Sequence, residues 1–160
     1  MDESITKRAS GGAVVTFELE INAPITEVFT LLTTNVGLEK WFNELEIGEL
    51  GADGYLLFVM TPEEKITMPI RIFEPNRKFA FAWDQDEVAF ELNTIPPNKT
   101  KLTFIEQLTA ITEHSPRDIS GWYICLKKLQ ASAEGKIYDF NKAEFETLFS
   151  KYKKALNNKK

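Results

Sequence analysis

Residues 72–83, Ile-Phe-Glu-Pro-Asn-Arg-Lys-Phe-Ala-Phe-Ala-Trp, constrain the fold more than any other part of the chain. Pro75-Asn76 marks a turn between two strands, after which Phe79, Phe81 and Trp83 alternate with Ala80 and Ala82. A period of two places the three aromatic side chains on one face of a strand and the alanines on the other. Three large rings in line need an equally large apolar surface to cover them. The alanines would let an opposing layer come close.

The surrounding chain supplies more strands and one obvious cover. Residues 13–21 alternate with Val15, Phe17, Leu19 and Ile21 in phase, and Asn22-Ala23-Pro24 then stops the strand and opens a helix. Val28, Leu31 and Leu32 form that helix's apolar stripe, Gly37 breaks it, and residues 38–42 read as a second short helix carrying Trp41 and Phe42. Strands follow at 44–50, 55–60, 65–73, 78–83, 87–95 and 100–110. A Gly51-Ala-Asp-Gly54 turn separates the first two, and Pro69, which cannot donate to a ladder, implies an edge or a bulge. Short connections imply an antiparallel meander. Ser115-Pro116-Arg117-Asp118 reads as a capped helix start, Ile119, Trp122, Leu126, Leu129 and Ala133 follow at helical spacing, and Gly135 ends the run. A curved sheet with one aromatic face and a long helix with one apolar face bury each other most simply by packing together. Trp122 is then the natural neighbour of the aromatic row. From Asn141, with Glu144 three residues on, Phe145, Leu148, Phe149, Tyr152 and Leu156 define an amphipathic helix packed on the outside.

These readings give a flexible, polar N-terminus at 1–12, an α+β domain at 13–135, and an appended helix with a basic tail at 136–160. The length of 160 residues suits one domain, and 43% apolar residues suit a globular one. The single cysteine, Cys125, rules out an internal disulfide framework. Met1 and the polar residues after it resemble no signal peptide, and no apolar run reaches bilayer length, so a cytoplasmic location is expected. Residues 1–140 carry 13 basic and 22 acidic side chains, whereas 141–160 carry six and two. An acidic body does not make a nucleic-acid footprint. The basic end reads as a solvated helix terminus.

Several local sequences carry a family resemblance: Ile21-Asn-Ala-Pro-Ile-Thr-Glu-Val-Phe29, Trp41-Phe42, the run from Phe73 to Trp83, Thr100-Lys-Leu-Thr-Phe104 and Gly121-Trp122. In this order they resemble the activators of heat-shock protein 90 ATPase, within the START-like (SRPBCC) superfamily. The resemblance covers roughly residues 13 to 135. It implies the helix-grip fold, a curved antiparallel sheet wrapped around a long C-terminal helix with a cavity between them. Members range from lipid carriers to cyclases. The eukaryotic namesake acts through an additional N-terminal domain, for which residues 1–12 leave no room. The chain is more similar to the single-domain bacterial type, associated with stress and with small apolar ligands.

Taken with the pattern, this makes Phe58, Met60, Met68, Phe81, Trp83, Phe90 and Phe104 of the sheet, with Trp122, Leu126 and Leu129 of the helix, the candidate lining of a pocket. The same residues would serve equally as an ordinary filled core. Trp41 and Phe42 close one end, as a gate or as core. Glu106 follows Leu102 and Phe104 in alternation. Its carboxyl either projects inward as a polar anchor at the cavity mouth for a ligand hydroxyl or amine, or sits solvated at the rim where the strand bulges or ends. Arg71 is out of phase and points outward, and Tyr123 faces either the cavity edge or solvent. His114 and Cys125 show no catalytic spacing, no metal-ligand cluster or phosphate loop is present, and no cofactor is implied. The expected activity is non-catalytic binding of a small hydrophobic, aromatic or lipid-like molecule. The alternatives are a co-chaperone or adaptor acting through protein contacts, and a cyclase- or hydrolase-like enzyme using Glu106 as general acid or base.

Overall fold

A computed structural model of the chain describes residues 1–157. The chain runs β1 (Asp2–Lys7), β2 (Ala13–Ile21), α1 (Ile25–Thr33), α2 (Asn35–Trp41), β3 (Leu45–Glu49), β4 (Tyr55–Thr61), β5 (Glu64–Glu74), β6 (Lys78–Trp83), β7 (Asp86–Ile95), β8 (Lys99–Leu108), α3 (Ser115–Ala133) and α4 (Lys142–Asn157). The strands form one antiparallel sheet in the order β1-β2-β8-β7-β6-β5-β4-β3. It is the α+β helix-grip arrangement, with α3 as the gripped helix. Among the described residues no helix is long and apolar enough to cross a membrane.

The aromatic row forms as its alternation requires. Arg77 N–H donates to Glu74 O at 3.0 Å across the Pro75-Asn76 turn, and Asn76 takes φ +59°. Phe79 and Phe81 are buried, and Trp83 is half-buried against α3. On the opposite face Ala80 pairs with Ala89 and lies beside Ile72, and the Lys78–Glu91 salt bridge is next along the strands.

Pro69 marks a handover. Residues up to Pro69 in β5 pair only with β4, those from Ile70 onward pair with β6, and a register shift lies between Ile70 and Ile72. The missing proline N–H thus falls where the strand changes partners. In the β3–β4 turn Gly51 takes φ +131°, and a Cβ at Gly54 would lie 1.9 Å from Glu49 O. Both positions therefore require glycine.

Helix α3 stops at Gly135, which adopts φ +70° while Lys136 N–H donates to Ala131 O at 2.7 Å. Its end is tied to the sheet: Gln130 Nε2 donates to Glu20 O and Asn22 N–H to Glu134 Oε2, both at 2.8 Å. The α3 start departs from the sequence pattern. Ser115 Oγ accepts from Thr112 N–H rather than capping the helix, and Asp118 is turned inward instead of completing a capping box. The cap of α4 does form, with Glu144 N–H donating to Asn141 Oδ1 at 2.8 Å.

The N-terminal residues, expected to be flexible, form the edge strand β1, paired in continuous register from Asp2↔Glu18 to Lys7↔Ala13. Glu3 then holds α4 in place by accepting from the Tyr152 hydroxyl and pairing with Lys151. Of the expected basic tail, Lys159 and Lys160 lie outside the described residues.

Candidate functional site

The interior between sheet and α3 divides at Trp122. On one side the side chains fill it. Phe17, Phe79, Phe81, Phe90, Phe104, Leu126 and Leu129 each expose 1% of their surface or less. Phe104 packs on Trp122 at 4.7 Å between ring centroids, and Phe90 on Phe104 at 5.2 Å. On the other side a cleft of about 790 Å³ opens to solvent between α2, α3, the start of α4, the middle of β4 and the end of β6.

Four rings form the inner wall of this cleft: Phe42, Phe58, Trp83 and Trp122. Trp83 meets Trp122 at 4.9 Å, Phe42 meets Trp122 at 5.4 Å and Trp83 at 5.8 Å, and Phe58 meets Trp83 at 5.6 Å. The expectation that Trp122 covers the aromatic row therefore holds at Trp83. Phe42 follows α2 directly and is placed by Trp41, whose indole N–H donates to Leu31 O at 2.8 Å and whose ring packs on Phe90. Trp41 is thus a buried plug that shows one side to the cleft.

Asp118 forms the polar floor. Trp83 Nε1–H donates to its Oδ1 at 2.8 Å, while Oδ2 is buried and accepts from no donor when both acids are ionised. Behind it lies Glu106, fully buried on β8 between Val15 and Val88. The strand continues without a bulge to Leu108, so regular alternation carries the Glu106 carboxyl inward. It is neither at the mouth nor at a solvated rim. Burial raises its pKa well above 4.5, and the neighbouring Asp118 carboxylate and, further off, Asp86 raise it more. Protonated Glu106 has a hydrogen to give to Asp118, which is how two adjacent buried carboxyls avoid mutual repulsion. Trp122 Nε1–H is also buried without a partner.

Of the residues expected to line a pocket, Trp41, Phe58, Trp83 and Trp122 do so. Met68, Phe81, Phe90, Phe104, Leu126 and Leu129 belong to the filled interior instead. Met60 is 57% exposed. It lies in phase with Leu56 and Phe58, but at the register shift between Val59 and Thr61, on the distal part of the hairpin. Tyr123 packs edge-on against Phe17 at 6.0 Å, and Arg71 is exposed, as its phase implies.

Sequence reasoning missed Asp118 as a site residue because its position also suits a helix cap. Its spacing of four from Trp122 places both on one face of α3, and that was the available signal. It also missed Arg117, Phe140 and Phe145 on the α4 side of the cleft. The Arg117 guanidinium lies over the Phe145 ring at 5.8 Å and the Phe149 ring at 5.6 Å, fastening α4 to α3. Cys125 borders the cleft, but burial pushes its thiol up to about 12, which makes it a poor nucleophile. Among the described residues no group of acids, His and Cys could hold a metal ion.

This architecture is shared with solved structures. A conserved protein of unknown function from Enterococcus faecalis, EF2215, superposes with a TM-score of 0.85 at 27% identity, covering 98% of this chain and 93% of that one. CalU16 from Micromonospora echinospora matches with a TM-score of 0.77 at 17% identity, over 98% of both chains. The Aha1 dimer from Colwellia psychrerythraea matches with a TM-score of 0.64 at 21% identity, covering 76% of this chain and 96% of that chain. A sequence search of curated proteins finds no match. The sequence model for "Activator of Hsp90 ATPase homolog 1-like protein" matches residues 22–134, from the end of β2 through α3. With more than half of its length matched, the chain belongs to the family of activator of Hsp90 ATPase homolog 1-like proteins.

Proposed function

We propose that the protein binds a small aromatic or apolar molecule, without transforming it, in the cleft between α2, α3 and the start of α4. The observation that carries this reading is the open cleft of about 790 Å³ whose inner wall is four adjoining aromatic rings over one half-buried carboxylate. A concave, mostly apolar surface with a few convergent polar atoms is the usual form of a small-molecule site. Half-buried Phe42, Phe58 and Trp83 have apolar area still to lose to a ligand.

The position of Glu106 favours binding over acid–base chemistry. It holds its proton, but it lies behind Asp118 rather than on the cleft wall, so a substrate in the cleft meets Asp118 first. Native mass spectrometry of freshly purified protein checks the reading directly. A co-purifying small molecule whose removal lowers the melting temperature, and whose return restores it unchanged, is the expected result. A product of different mass after incubation would transfer the protein to the enzymes.

A further inference from the structure

We infer that the occupant of the cleft is an organic cation, an ammonium ion bearing an aromatic or alkyl group, with the four rings as its walls and Asp118 as its counter-ion. The inference rests on the reading of the cleft as a ligand site and adds the charge of what fills it. Two independent features support it.

The first is the wall. Phe42, Phe58, Trp83 and Trp122 meet one another at interplanar angles between 62° and 86°. Edge-to-face packing covers one face of a ring with the rim of its neighbour, but half-buried Phe42, Phe58 and Trp83 keep further surface beside the cleft, and aromatic faces attract cations, tryptophan most strongly. The second is the floor. Glu106 and Asp118 are adjacent acids whose shared proton satisfies one oxygen of each; apart from Trp83 Nε1–H on Asp118 Oδ1, no other side chain donates to the pair, and Trp122 Nε1–H is buried without a partner.

No salt bridge among the described residues includes either acid. The basic group closest in sequence, Arg117, is turned onto Phe145 and Phe149. With the proton shared, the pair retains one negative charge; Lys40, Arg117 and Lys128 also line the cleft, but among the described residues none of them forms a salt bridge with either acid. A charge left in this state costs free energy that an incoming cation would recover. A neutral apolar ligand would leave that charge as it is, and an anion on the floor would meet the Asp118 carboxylate.

The test uses two probes of the same shape on the full chain: benzyltrimethylammonium and its uncharged carbon analogue, 2,2-dimethylpropylbenzene. Binding is followed by calorimetry and by quenching of tryptophan fluorescence, since Trp83 and Trp122 form the wall. The ammonium should bind about tenfold or more tighter than the neutral probe. Asp118→Asn should remove that preference, bringing the ratio of the two probes' affinities toward one. Equal or tighter binding of the neutral probe overturns the cation inference and leaves the cleft as an apolar site. A preference that survives Asp118→Asn overturns the counter-ion assignment. If neither probe binds at millimolar concentration, nor does 1-anilinonaphthalene-8-sulfonate, the ligand-site reading falls as well. The wild-type comparison decides the charge of the ligand even if Asp118→Asn fails to fold.

Discussion

The two ends of the space between sheet and α3 are built from the same residue types yet differ in kind. At one end Phe79, Phe81, Phe90 and Phe104 are packed under α1 and α3 until nothing is exposed. At the other, Phe42, Phe58 and Trp83 touch one another but remain half-buried beside open space. Trp122 contributes to both, with Phe104 and Phe90 on its filled side and Trp83 and Phe42 on its open side. Alternation in a strand decides which way a side chain points. Whether that side chain becomes core or wall depends on where the covering helices end.

Substitutions at the two ends should therefore separate. Phe104→Ala removes a ring fully enclosed by Phe17, Phe90 and Trp122, and should cost about 3–5 kcal/mol in denaturant unfolding. Trp83→Ala removes a larger side chain, but one partly facing solvent, and should cost only about 2 kcal/mol, including its hydrogen bond to Asp118. Equal costs would erase the distinction between the ends. A smaller cost at Phe104 than at Trp83 would reverse it.

The least disruptive change concerns pH. Glu106 is protonated below pH 4.5 whether the chain is folded or not, so it costs nothing there. As pH rises, the unfolded chain releases this proton while the native protein keeps it, because burial and Asp118 hold the native pKa up. Glu106 thus makes stability fall by at most about 1.4 kcal/mol per pH unit, until the native group ionises as well. Glu106→Gln keeps a donor toward Asp118 and should flatten this part of the stability–pH curve. An unchanged slope in urea titrations from pH 5 to pH 8 would mean that native Glu106 does not hold its proton.

Much of the frame was legible in the sequence because period-two and helical spacing are local properties. The 13–21 strand, the two short helices, the meander and the pairing of Trp83 with Trp122 all follow from such spacing. β1 was not legible. Asp-Glu-Ser-Ile-Thr-Lys has one apolar residue, Ile5, because an edge strand with one face to solvent and only α4 against the other needs little more. Met60 and Ile66 show the opposite failure. Their phase is right, but the hairpin outruns its cover, and both are exposed. The site was half legible. The wall rings were visible as aromatics, whereas their division into core and cleft depends on distances between elements that no local pattern contains. Asp118 was read as a cap because a carboxylate near a helix start suits both roles.

The handover at Pro69 bears on how the protein responds to whatever occupies the cleft. β3, β4 and the first half of β5 form an arm joined to the remaining sheet through β5 alone. The arm carries exposed Met60 and Ile66 at its tip and Phe58 at the cleft. Its base is held by buried Leu45, Leu56 and Met68, but its exposed tip is the part that opens locally while the rest stays folded. Its amides should exchange with deuterated solvent ahead of those in β7 and β8. A molecule resting on Phe58 would slow that exchange in the arm alone, making the arm a built-in gauge of occupancy.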